Sequence, residues 1–412
     1  MPASRAAALH AWAIFVAWAL LIFATVPFAR AIEAFVVANL GAQAFLFGVL
    51  GVVGTAALLA WRAFARLGLR ARVSVALGIV IYAGTAWRLR GNAVEAVHLV
   101  EYGVLGLLAL RALAHAGRDA LLAPSAALLG LTVGTLDEGL QWLAPARVWD
   151  LRDIGVNALA AAGGPLLFAL GVRPAWASQR ASLRSALRCI ALLALAWVLL
   201  GASCLNTSAR VGRLARFAPR LAAQDTGMVD YGVLHELAHE SRFPSRLSAS
   251  AWRAQDQARA ASAGAALAAN VRAMVAAPAD QDPNPYDQFL AEHSAVRDPF
   301  LHELRVHLFR RDRYVQTADR HLDDPAWRAR DLTVAVRENA FLEARAPATL
   351  RASGLEWSAA QHAERAALDV GGPYRSRVAE SVVTRVRERD VALFWAFGLG
   401  ALALAALRVR RR

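Results

Sequence analysis

Three short polar segments set in apolar surroundings carry most of the chemistry open to this chain. The first holds Glu95, His98, Glu101 and Tyr102, and the second Asp137, Glu138 and Gln141. The third holds Arg147, Asp150, Arg152, Asp153 and Asn157. On a helix, residues three and four apart share a face, which groups Glu95 with His98 and Tyr102, Glu138 with Gln141, and Asp150 with Asp153 and Asn157. Brought together, these carboxylates suit a hard divalent cation, while Arg147 and Arg152 suit a phosphate or carboxylate. Two plainer readings stand beside this one. The Glu and His side chains can simply pin helices together by hydrogen bonds, and Asp150 and Asp153 suit a wet loop.

A different chemistry is spelled by His235-Glu236-Leu237-Ala238-His239. On a helix, H-E-x-x-H puts two His on one face to bind zinc and lets the Glu activate water. Asp256 is then a candidate third ligand. The surroundings fit this pattern poorly, because Glu240, Ser241 and Pro244 follow where such helices continue apolar, and the next Glu is Glu292. The competing reading is a solvated helix with incidental His.

The elements that must position these residues are membrane spans. The chain has 412 residues, 57% of them hydrophobic, and a mean hydropathy of +0.36, values that a soluble protein cannot easily keep off its surface. About seven or eight spans are expected. They fall near Ala11 to Ala29, Leu40 to Trp61, Val73 to Trp87, Ala93 to Leu113, Leu121 to Leu143, Val148 to Val172, Leu187 to Leu205 and Val391 to Leu407. The first has a signal-like start, but its apolar run is longer than a usual signal core, so an uncleaved span is expected. The net charge of +14 is carried entirely by Arg. With the N-terminus inside, most loop Arg residues lie in the cytoplasm, and Arg30, Arg88, Arg90, Arg147 and Arg152 lie outside, the asymmetry that translocation favours. At about 1.5 Å per residue, Glu101, Asp137 and Asn157 then fall roughly 9 to 14 Å below the outer boundary, all in one half of the membrane. No nucleic-acid motif accompanies the charge, so the expected partner is the lipid bilayer.

The order His98-x-x-Glu101-Tyr102-Gly103, Asp137-Glu138-x-x-Gln141, then Arg147, Asp153, Asn157 and Gly163 or Gly164, resembles the signature of the VanZ-like membrane family, whose named members are linked to teicoplanin resistance. The resemblance covers approximately residues 70 to 172. It implies a polytopic cell-envelope protein but supplies no reaction and no cofactor; the ligand expected from Arg147 and Arg152 is the phosphate or carboxylate of a lipid-linked or cell-wall component. Two spans before this region and a long segment behind it depart from the short members of that family.

The fold class expected is all-α: a polytopic helical membrane protein with an extracytoplasmic helical domain. Residues 1–69 hold two spans, 70–172 the VanZ-like bundle, 173–205 a further span, 206–390 the outer domain, and 391–412 a last span with a basic tail. Within 206–390, Phe300, Leu301, Leu304 and Leu308 show helical periodicity, and Pro244, Asp282-Pro283-Asn284-Pro285 and Gly371-Gly372-Pro373 divide the helices. The basic stretch from Arg305 through His307, Phe309, Arg310, Arg311, Asp312 and Arg313 to Tyr314 reads as a helix with Phe309 inward and its Arg residues paired with Asp312, Asp323 and Asp324. Anionic headgroups are its alternative partner. Trp327, Trp357 and Tyr374 read as core or interface aromatics. Cys189 and Cys204, both in one apolar run, exclude a disulfide framework, a Cys zinc site and a haem attachment.

Overall fold

The structure is a computed structural model that describes residues 5–64, 68–144, 149–278 and 281–411. It divides into two compact units, Met1–Ser203 with Ala392–Arg412, and Cys204–Val391.

The first unit is helical throughout: α1 (Arg5–Thr25), α2 (Ala29–Leu40), α3 (Ala44–Phe64), α4 (Leu69–Arg88), α5 (Val97–Leu113), α6 (Leu122–Leu143), α7 (Leu151–Gly171) and α8 (Leu183–Cys204). A last helix, α16 (Glu388–Arg411), returns to it. Among the described residues, seven helical stretches are long and apolar enough to cross a membrane. Their large side chains, such as Leu20, Phe47, Leu58, Val80 and Phe394, stand exposed, so the surface of this unit is matched to a bilayer and the chain is a multi-pass membrane protein.

The expected span at Leu121 to Leu143 forms the helix α6, yet it is not among those seven. It packs against α1, α5 and α7, and Asp137, Glu138, Gln141, Thr132 and Thr135 along it are buried. A helix shielded by its neighbours can carry polar groups that a lipid-facing one cannot.

Small residues let α5, α6 and α7 close on one another. A Cβ on Gly106 would lie 2.0 Å from the carbonyl oxygen of Ala161, and one on Gly130 would lie 2.3 Å from the Ala161 Cβ. Pro165 inside α7 lacks the N–H that would bond that carbonyl four residues back, so the exposed oxygen receives the Gly106 backbone instead. Tyr82 donates its hydroxyl to the Ala160 carbonyl at 2.5 Å, and Trp18 donates its indole N–H to the Glu101 carbonyl at 2.9 Å, which ties α4 to α7 and α1 to α5. Helix α8 is anchored at its start by Asp119, which accepts from the Ser182 amide at 3.0 Å and from the Ser185 hydroxyl. It pairs with α16 through Trp197, whose N–H reaches the Trp395 carbonyl at 2.9 Å.

The second unit holds α9 (Ser208–Leu214), α10 (Ala249–Ala276), α11 (Pro285–Glu292), α12 (Pro299–Arg320), α13 (Pro325–Arg345), α14 (Pro347–Ser353) and α15 (Ala359–Ala366). Asn284, Asp298 and Asp324 cap α11, α12 and α13 with Pro at the first helical position, the local signals that start these helices. The domain is not purely helical. Strands β1 (Val233–Leu237), β2 (Ser241–Ser245) and β3 (Tyr374–Arg375) form a small sheet in that order, β1 antiparallel and β3 parallel to β2. Pro244 is tolerated in β2 because β3 pairs only with Ser241 and Arg242.

The core of this unit gathers Phe243, Trp252, Phe300, Phe341 and the Leu residues of α12 and α13. Into it runs the buried carboxylate of Glu338, which accepts from His307 Nδ1 at 2.5 Å, Tyr374 Oη at 2.6 Å, Ser376 Oγ at 2.8 Å and Arg310 Nε at 3.0 Å. Burial pushes its carboxyl up, but His307, Tyr374 and Ser376 outweigh that and hold it below the ordinary Glu value of 4.5. A depressed carboxyl contributes stability that is complete above the unfolded-state value and is lost as pH falls through the folded one. Tryptophan fluorescence during urea unfolding of the full chain in detergent should therefore show this unit weakening as pH falls from about 4.5. Glu338→Gln should cost about 3 kcal/mol or more at neutral pH, since it takes the charged acceptor from the half-buried Arg310 guanidinium and from the buried His307 ring, and should flatten that acid dependence.

Candidate functional site

The three polar segments meet at one level of the bundle. Tyr102 on α5, Asp137 and Glu138 on α6 and Asn157 on α7 are all buried. A Cβ on Gly134 would lie 2.9 Å from Asn157 Cβ and 3.3 Å from Tyr102 Cε1, so the missing side chain on α6 is what lets all three helices present polar groups to one point. Tyr102 also faces the Asp137 carboxylate, and His98 stands within electrostatic reach of it. Gln141 donates to Asp137 at 3.1 Å and to Glu138 at 2.9 Å. Glu138 in turn accepts from the Asp150 backbone at 3.3 Å, which fastens the end of α6 to the start of α7.

Nearer the rim, Arg152 pairs with Glu95 at 2.6 Å and stands 3.7 Å from Asp150 and 4.0 Å from Asp153. Glu95 also accepts from Asn92 at 2.5 Å. His98 Nδ1 lies 3.3 Å from Glu101 Oε2, one turn along α5. Asp150 serves as the N-cap of α7, accepting from the Arg152 amide at 2.7 Å, so its local role is structural. Arg147 lies outside the described residues. Among the described residues, no group of three or more His, Cys, Asp or Glu is arranged to hold a metal ion; the carboxylates are spread along the seam.

What distinguishes this layer from a satisfied seam is its open valences. The Tyr102 hydroxyl turns to the Asp137 carboxylate and Asp153 to Arg152, while both ends of the Asn157 amide and one oxygen of Glu95 are buried without a hydrogen bond. Such groups are rare in finished interiors, and in a bilayer each is costly. Beside them, α5 turns to an apolar cavity of about 390 Å³, lined by Leu99, Val100 and Gly103 together with Tyr82 of α4 and Gly164 and Phe168 of α7. A buried polar cluster therefore stands next to an apolar cavity, the pairing that an amphipathic molecule fits.

The H-E-x-x-H segment does not form the expected helix. His235 and Glu236 lie in β1, and His239 and Glu240 make the hairpin turn, both at positive φ (57° and 52°). The two His therefore share no helical face. His235 is buried, 5.7 Å from the Phe341 ring, with Nε2 2.8 Å from the Leu247 carbonyl, and burial pushes its ring below the ordinary His value. Glu236 and His239 are exposed. Asp256, considered above as a third ligand, instead accepts from the Ala348 and Thr349 amides at 3.0 and 2.7 Å. Burial of His235 and Phe243 on one face of the hairpin overrides the helical preference of the local sequence.

The basic stretch of α12 likewise belongs to the interior. Arg305, His307 and Arg311 are buried, Arg310 pairs with Glu338, and Arg311 with Asp312 at 2.7 Å. Phe309 stacks on Tyr286 at 4.3 Å. Asp324 is occupied as the α13 cap rather than as an Arg partner. Tyr374 joins the core network, whereas Trp327 is exposed beneath Arg330.

The residues missed by reading ionisable groups alone are Gly134, Gly106 and Tyr82. Gly130-x-x-x-Gly134 was the available signal, since that spacing marks close helix approach in membranes. No protein-family model, curated protein or solved structure matches this chain.

Gly134→Leu should separate Asn157 and Tyr102 from α6. Overpacking of this kind costs about 1–3 kcal/mol or more. A detergent-solubilised thermal melt should show a lower midpoint, while Gly139→Leu, where nothing lies within 4 Å of a built Cβ, should leave it nearly unchanged.

Proposed function

We propose that this chain is a VanZ-like cell-envelope protein that binds the polar end of a lipid-linked or cell-wall component in the layer formed by α5, α6 and α7. The observation that supports the reading is the convergence of Tyr102, Asp137 and Asn157 inside a membrane bundle, with the Asn157 amide left without a partner. Intramembrane polarity without partners is retained where a ligand or water completes it. The set offers an acceptor at Asp137, a donor and acceptor at Asn157, and a hydroxyl at Tyr102, a combination that matches a hydroxyl- or amide-bearing headgroup. Glu95, His98, Glu101, Glu138, Gln141 and Asp153 shape the approach, and the adjoining apolar cavity takes an aliphatic chain.

The orientation that accompanies this reading has both termini in the cytoplasm, residues 206–390 outside and the polar layer in the outer half of the membrane, as the Arg distribution favours. A resistance role follows if the bound component is one that a glycopeptide antibiotic engages.

Asp137→Asn keeps size and removes the charge. Losing one charge-assisted hydrogen bond weakens binding about tenfold, so a sensitive host producing this variant should survive markedly less teicoplanin than one producing equal membrane amounts of the native chain. Equal protection by both at matched levels contradicts the reading.

A further inference from the structure

In the second unit, the inner face of the β1–β2 hairpin does not close fully on α13. A cavity of about 550 Å³ remains, within the range of small-molecule sites. Leu237 and Phe243 of the hairpin, Val336, Ala340 and Ala344 of α13, and Ala366 of α15 give it apolar walls.

Its polar lining includes Ser241 and Arg337. Both are buried, at 2% and 3% exposure, and both line the cavity. The Ser241 hydroxyl and the Arg337 Nε have no hydrogen-bond partner. The far edge of the Arg337 guanidinium is held by Asp369, at 3.1 Å to one oxygen and 3.0 Å to the other. Asp369 is fixed in turn by the Gly371 amide at 2.9 Å. The charge of Arg337 is thus already balanced, and what it leaves over is a directed N–H.

The hairpin places these groups for a stated reason. Leu237 pairs with Ser241 across the turn, and alternation along β2 puts Ser241 on the same face as Phe243. Arg337, Ala340 and Ala344 follow at helical spacing on α13. His239, the last residue of the H-E-x-x-H segment, stands at the rim.

We infer that this cavity is a binding site for a small neutral amide or ester with an aliphatic body, its carbonyl oxygen accepting from Ser241 Oγ and Arg337 Nε. Two buried donors without acceptors ask for a ligand that brings lone pairs. A carboxylate would supply them too, but it would stand beside Asp369 with no unbalanced cation to offset the repulsion. An ammonium would set a second cation against the Arg337 guanidinium and leave its N–H unmet. The Ala-rich wall of α13 and α15 leaves room for an unbranched chain, since larger side chains at these positions would fill the space.

The test uses the full chain in nanodiscs and three probes of one length: hexanamide, hexanoate and hexylammonium. Ligand-observed saturation-transfer NMR is recorded against the native chain, Ser241→Ala, Ala340→Phe and empty nanodiscs. Hexanamide should bind the native chain above the empty-disc level and more tightly than the other two. Ser241→Ala, which removes one hydrogen bond and little volume, should weaken it about fivefold. Ala340→Phe, which fills the cavity, should abolish the signal. The proposal is overturned if hexanamide gives only the empty-disc signal, if Ser241→Ala leaves its affinity unchanged, or if hexanoate binds as well.

Discussion

The close approach of α5, α6 and α7 is the constraint on which the membrane unit depends. A Cβ at Gly106 or Gly130 would strike Ala161, and one at Gly134 would strike Asn157. Without hydrophobic drive between helices in lipid, such contact is what holds a bundle together. It also fixes the level at which Tyr102, Asp137 and Asn157 meet. The polarity of α6 follows from the same geometry, because a helix enclosed by α1, α5 and α7 need not pay for facing lipid. Packing and site are one arrangement, and a change in the first is a change in the second.

The second unit solves the opposite problem, several Arg side chains buried in its core. Glu338 collects His307 and Arg310, and Glu303 accepts from Ser245 at 2.6 Å and stands 3.4 Å from Arg246. Asp298 holds Arg259, and Asp369 holds Arg337. Each carboxylate is met by more donors than one, which specifies how the helices and the hairpin meet. The cavity at Ser241 departs from this pattern in that two unmatched donors line one space.

Much of this was legible in the sequence, for reasons that can be named. Spans show in hydropathy because lipid admits only long apolar helices. The meeting of the polar segments follows from counting residues inward along antiparallel spans, and Asn284-Pro285, Asp298-Pro299 and Asp324-Pro325 announce helix starts. The hairpin at Val233–Ser245 was not legible, because Leu234 to Glu240 is locally helix-friendly and only its distant partners Phe341 and Tyr374 select the strand. The divergent roles of the acidic residues were hidden likewise: Asp150 and Asp153 look alike in sequence, yet one caps a helix and the other turns a buried oxygen toward Arg152.

The central claim, that α6 and α7 bring Gly134 and Asn157 into contact within the polar layer, is tested most directly by cross-linking in native membranes. With Cys189 and Cys204 replaced by Ala, the pair Gly134→Cys and Asn157→Cys should form a disulfide readily on mild oxidation. The pair Gly139→Cys and Asn157→Cys should not. Equal cross-linking of both pairs, or none at the first, contradicts the account.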